Sequence, residues 1–96
     1  MTFSFHPEAE SEFLEAIEYY EDREQGLGYD FSIEVFAAIQ NITTYPTAWP
    51  VIEEGVRRCL VHRFPYGVIY SIEGDKIFVL AIMHLRRHPG YWKNRY

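Results

Sequence analysis

One cysteine, Cys59, is the only thiol in this 96-residue chain, so no internal disulfide holds it together. Its apolar neighbours mark it as a buried spectator rather than a nucleophile. No apolar run approaches the roughly 18 residues that cross a bilayer. The opening MTFSFHPEAE has neither the basic start nor the apolar stretch of a secretory signal. A cytoplasmic protein with no membrane partner is therefore expected. Glycine-rich phosphate loops and dinucleotide fingerprints are missing, which leaves ATP and nicotinamide chemistry without support and implies no cofactor. His84 and His88 stand four positions apart, but the adjacent Pro89 argues against a helical frame and no nearby carboxylate or thiol completes a ligand set, so no metal is expected. No serine sits on a glycine-flanked elbow, which removes the usual frame for Ser/His/Asp hydrolysis.

What the chain does have is apolar content. Hydrophobic residues make up 48% of it, enough to build a core, and the length suits one domain spanning residues 1–96. Charge is divided along the sequence. Residues 1–54 hold twelve acids against one base, Arg23, a balance of −11. Residues 55–96 hold eight bases against two acids, a balance of +6. An acidic first half is ordinary for the solvated face of amphipathic helices. The basic second half points instead to an anionic partner.

Two helices and then a sheet are predicted. His6-Pro7 followed by Glu8, Glu10 and Glu12 forms a helix start, with proline in the first turn and carboxylates at the positive end of the helix dipole. A first helix is expected from Pro7 to Glu24, with Ala9, Phe13, Ala16, Ile17 and Tyr20 on one stripe. Gln25-Gly26-Leu27-Gly28 breaks the period. A second helix follows from Tyr29 to Thr44, with Phe31, Val35, Ala38, Ile39 and Ile42 on its apolar side, and the short connection makes the pair an antiparallel hairpin. Pro46 and Pro50 end helical structure. Three strands are then expected at Val56–Arg63, Tyr66–Ile72 and Lys76–His84, the last two joined by the tight loop Glu73-Gly74-Asp75. The remaining basic and aromatic tail to Tyr96 shows neither period.

Arg57, Arg58, Arg63, Arg86 and Arg87 lie on or beside these strands, interleaved with His62, His84, His88, Tyr66, Tyr70, Tyr91 and Trp92. Guanidinium groups grip phosphates while aromatic faces stack on unpaired bases, so the mixture suits single-stranded RNA. The same arginines would also serve to pair with acids of a neighbouring chain.

Four stretches, HPEAESEFLEAIEYYED, QGLGYDF, VRRCLVHRFPYGVIYSI and IFVLAIMHLRRHPGYW, together resemble the RelE/ParE toxin superfamily, in particular its plasmid-stabilisation branch. The resemblance covers nearly the whole chain. It implies an α+β fold in which an N-terminal antiparallel helix hairpin packs on a curled three- to four-stranded antiparallel sheet. It also implies the toxin of a type II toxin–antitoxin system, growth arrest, and silencing by a cognate antitoxin. Two targets occur in the superfamily. One branch consists of ribosome-dependent mRNA endonucleases (mRNA interferases), in which the 2′-hydroxyl attacks the adjacent phosphate. By position, Arg63 and Arg86 resemble the phosphate-stabilising arginines, His84 the imidazole acid or base, and Tyr91 the aromatic at the substrate. Arg57, Arg58, Arg87 and Trp92 would then contact the RNA or another target. The endonuclease prototypes rely on lysines before and within the sheet, whereas this chain has only Lys76 and Lys93. The endonuclease, acting with ribosome and mRNA as partners, is the expected function. The alternatives are a non-enzymatic inhibitor of DNA gyrase and an attenuated toxin that only binds its antitoxin.

Overall fold

The computed structural model describes every residue from Met1 to Tyr96. Strand β1 (Thr2–Phe5) leads into helices α1 (Pro7–Arg23) and α2 (Leu27–Thr44), followed by β2 (Val51–Glu53), β3 (Val56–Leu60), β4 (Tyr66–Glu73) and β5 (Lys76–His84). A 3-10 turn at Lys93–Arg95 ends the chain. No helix is long and apolar enough to cross a membrane.

The helix hairpin forms for local reasons. His6 caps α1 by accepting the Glu8 N–H at Nδ1 (3.0 Å), with Pro7 opening the helix. Gly26, at φ 87°, turns the chain between the helices. It offers no side chain to cap α2, and Glu21 of α1 does so instead, accepting the N–H groups of Gly26 (2.9 Å) and Gly28 (3.0 Å). This cap from the preceding helix carries α2 two residues further back than Tyr29, where its periodicity begins.

The sheet order is β1-β5-β4-β3-β2, and it is mixed. The three expected strands are its centre, paired antiparallel with Tyr66 opposite His84 and Arg57 opposite Tyr70. Two short edge strands extend it to five. β1 runs parallel to β5, Thr2 beside Lys76, and β2 pairs antiparallel with β3. The expected antiparallel sheet of three or four strands is thus corrected to a mixed sheet of five.

Both faces of this sheet are covered, which explains the nearly unbroken apolar run of β5. On one face Phe13, Phe31, Val35, Ile39 and Ile42 of the helices pack against Val68, Tyr70, Ile77 and Val79. On the other, Val56, Ile69, Leu80, Ala81 and Met83 pack against Trp92 of the tail. Leu80 and Ala81 enter the same cluster although they are adjacent. A bulge accounts for this, because the β4–β5 register slips between Ile69/Ala81 and Tyr70/Val79 and inserts Leu80.

Cys59 is 3% exposed within the helix-side core, and burial pushes its thiol up to about 11. Since the thiolate is the reacting species, a thiol raised in this way stays neutral near neutral pH. Iodoacetamide should therefore leave the native protein unmodified by mass while labelling it fully in denaturant. Rapid native labelling would show that this core opens.

Candidate functional site

The glutamate that matters most stands on the buried side of α1. Glu12 lies three residues after Ala9 and four before Ala16, so it shares their face and points at the sheet rather than at solvent. It meets the edge of β5 just where β1 stops. There the Ile82 N–H donates to Glu12 Oε1 (3.1 Å), and the Leu80 carbonyl accepts from Arg95 (3.0 Å). Arg95 closes the arrangement with a two-pronged pair to Glu12, both contacts at 3.0 Å, and its side chain is only 6% exposed. Arg87 adds a fourth donor to the same carboxylate at 3.1 Å. Burial works against the Arg95 charge, but its hydrogen bond and charge pairing with Glu12 prevail and hold the guanidinium protonated above its ordinary range.

This network sets the state of the tail. Arg87 lies over the Tyr91 ring at 3.7 Å and Arg95 lies 4.9 Å from it. The Tyr91 hydroxyl is buried without a hydrogen-bond partner, and burial, followed by the neighbouring Glu12 carboxylate, pushes it above the ordinary phenol range. Trp92 is 3% exposed in the tail-side core. Lys93 pairs with Glu53 (3.2 Å), and the Tyr96 hydroxyl donates to the Glu54 carbonyl (2.7 Å). A tail with no period of its own is thus docked along its length.

The other arginines are distributed rather than gathered. Arg57 donates to the carbonyls of Thr47 (3.1 Å) and Trp49 (2.6 Å), tethering the proline-rich connection to β3. Tyr70 does the same from β4, its hydroxyl donating to the Pro46 carbonyl (2.7 Å), and burial pushes that hydroxyl up to about 12. Arg58 packs its stem over Gly67 and borders a separate hollow with Trp92 and Met83. Arg63 lies beyond the end of β3, in a turn at φ 76°, half exposed, beside Asp30 (3.5 Å) and over the Phe64 ring. Arg86 is exposed, and its backbone N–H donates to His84 Nδ1 (3.1 Å). With Nδ1 accepting, the proton of the neutral His84 ring belongs on Nε2.

Among the expected site residues, Arg58 and Trp92 share that hollow beside Met83, while His84 and Arg87 line a second cleft together with Glu12, Glu15, Tyr19 and Tyr66. Tyr91 does not line it but lies behind Arg87 and Glu12. Arg63 and Arg86 do not line it, and Arg57, Arg58 and Trp92 lie elsewhere. Glu12, Tyr19 and Arg95 are the residues that sequence reasoning missed. Of these Glu12 carried a signal, a carboxylate set inside the apolar stripe of α1.

A search of curated protein sequences finds no match. Among solved structures, a chain of the chromosomal ParDE toxin–antitoxin system from P. aeruginosa superposes with a TM-score of 0.75 at 15% identity, over 90% of this chain and 97% of that one. A likeness at that identity concerns the fold, two helices on an open mixed sheet. The sequence profile described as "ParE toxin of type II toxin-antitoxin system, parDE" matches residues 3–89, from β1 into the tail. On that match, the chain belongs to the ParE toxin family of type II toxin–antitoxin systems.

Proposed function

We propose that this ParE toxin arrests growth by binding a protein target, DNA gyrase, and that it does not cut RNA. The observation that carries the reading is the internal engagement of most of the expected catalytic and target-contacting residues. Glu12 occupies Arg87, a buried hydroxyl and a ring covered by Arg87 keep Tyr91 from a substrate, Asp30 faces Arg63, and Trp92 is core. In-line attack by a 2′-hydroxyl needs convergent cations at one phosphate and a proton acceptor beside it. His84 with Arg86 alone is a poor version of that arrangement. A protein-binding surface needs no such convergence.

A cognate antitoxin belongs to the same reading. The groove between α2 and β1, about 500 Å³ and lined by Met1, Phe3, Phe36 and Ile39, leaves apolar surface uncovered, and we place the antitoxin segment there.

Two assays with purified toxin separate the targets. Gyrase supercoiling should be inhibited while mRNA on translating ribosomes stays intact. His84→Gln, which cannot shuttle a proton, should still inhibit gyrase, any loss staying within about tenfold because only a ring contact is removed and general acid–base catalysis contributes nothing to binding. Ribosomal mRNA cleavage that drops about a hundredfold in His84→Gln would establish the endonuclease instead.

A further inference from the structure

The geometry points to a docking site for an acidic segment of the protein target, anchored by an aromatic side chain, in the cleft between the end of α1 and the open end of the β4–β5 hairpin. The inference rests on the protein-binding reading above and names the face and the chemistry involved.

The cleft measures about 500 Å³ and is lined by Tyr19, Tyr20, Arg23, Leu27, Pro65, Tyr66 and His84. Its walls are rings set nearly at right angles, Tyr19 against Tyr20 (5.3 Å, 78°) and Tyr66 against His84 (5.1 Å, 76°). Such walls offer both ring faces and ring edges, the two surfaces an inserted aromatic side chain prefers to meet. Burial pushes the Tyr66 hydroxyl up to about 12 and raises that of Tyr20, so both remain protonated as hydrogen-bond donors. No carboxylate lines this part of the cleft.

Charge identifies the occupant further. Arg23 is the one base among the first 54 residues, on a helix that carries seven acids, yet it forms an ion pair with none of them. Its guanidinium donates to the Tyr19 hydroxyl and lies 4.9 Å from the Tyr19 ring, at the mouth of the cleft. Two residues beyond His84, Arg86 is exposed and also without a carboxylate partner. Arg63, Arg87, Lys93 and Arg95 all have acidic partners. In a chain with more acids than bases, an unmatched guanidinium group on an aromatic cleft, with a second exposed arginine two residues from its His84 wall, complements a short anionic segment.

A protein segment suits the cleft better than RNA does. Past Tyr19, Tyr66 and His84 the cleft continues between Glu12 and Glu15, where a chain of phosphates would meet Glu15 and find no unmatched cation. Nucleic-acid tracks depend on cations repeated along the backbone. A folded loop with one aromatic residue between acids makes no such demand, and aromatic anchors in preformed pockets are where interface energy concentrates.

The test is fluorescence anisotropy on the full-length toxin with three labelled probes: a peptide with tryptophan between aspartates and glutamates, its lysine counterpart, and an oligouridine RNA. Arg23→Glu and Tyr19→Ala change exposed positions, and thermal melts establish that both fold. The acidic peptide should bind the parent best. Its affinity should fall about tenfold or more in both variants, and Arg23→Glu should prefer the lysine peptide. Equal binding by parent and variants, absence of acidic-peptide binding, or preference for the RNA would each overturn the proposal. Gyrase inhibition by Arg23→Glu separates this inference from the one before it. Inhibition that survives the substitution removes the cleft and leaves gyrase as target, whereas a parent that never inhibits gyrase removes the target and leaves the peptide result to decide the cleft.

Discussion

Glu12→Ala is expected to destabilise the domain by about 3–5 kcal/mol, the usual result of removing one member of a buried ion pair. The carboxylate is nearly buried and accepts from four donors, two of them on Arg95. Without it the Arg95 guanidinium stays in a low-dielectric site with only the Leu80 carbonyl and the more distant Glu8 at 3.7 Å. The Ile82 N–H is left unsatisfied as well. Urea denaturation followed by circular dichroism measures the loss. Limited trypsin digestion should show Arg87 and Arg95 becoming cleavable before the rest of the chain. Pairing Glu12→Ala with Arg95→Met should recover part of the stability, because the double variant no longer buries an unmatched charge. A single-variant cost below about 1 kcal/mol, the range of exposed pairs, would mean that the tail is held by Trp92 and its contacts to Glu53 and Glu54 instead.

Gly28→Ala carries the second large cost, expected at about 2–3 kcal/mol from overpacking. A Cβ at Gly28 would stand 2.5 Å from the Ile17 carbonyl oxygen and 3.0 Å from Glu21. The nearest atom is backbone, so relief requires the two helices to separate. Separation would also lengthen the bond by which Glu21 caps α2. Alanine in place of glycine ordinarily favours a helix, so the sign of the measured change discriminates between propensity and contact. Chemical denaturation that finds the variant as stable as the parent would show that the hairpin opens without penalty.

The two helices and the three central strands were legible because their apolar residues repeat locally, at three and four positions or in short β-rich runs. The start of α2 was not, since Gly26 and Gly28 read as loop when Gly28 is there to let the helices touch. β1 has four residues and its partner lies at the other end of the chain, so nothing near it marks it as a strand. β2 has three residues and sits between Pro50 and the turn-like Glu53-Glu54-Gly55. The tail lacked any period because its order comes from Glu12, Glu53 and the Trp92 socket, which are tertiary partners. The same gap explains the scattered site. Residue type identified the arginines, but which acid each one meets depends on the packing of α1 against β5.

That packing also dictates when the molecule can become itself. Thr2 pairs with Lys76, and Glu12 reaches its arginine across 83 positions, so β1 and α1 wait for residues made much later. Until residues 76–95 are in place, α1 carries its carboxylate unmatched and β1 has no neighbour to join. Contacts so distant in sequence form slowly and together. Earlier-made helix faces and strand edges are therefore left open until β5 and the tail are present to cover them.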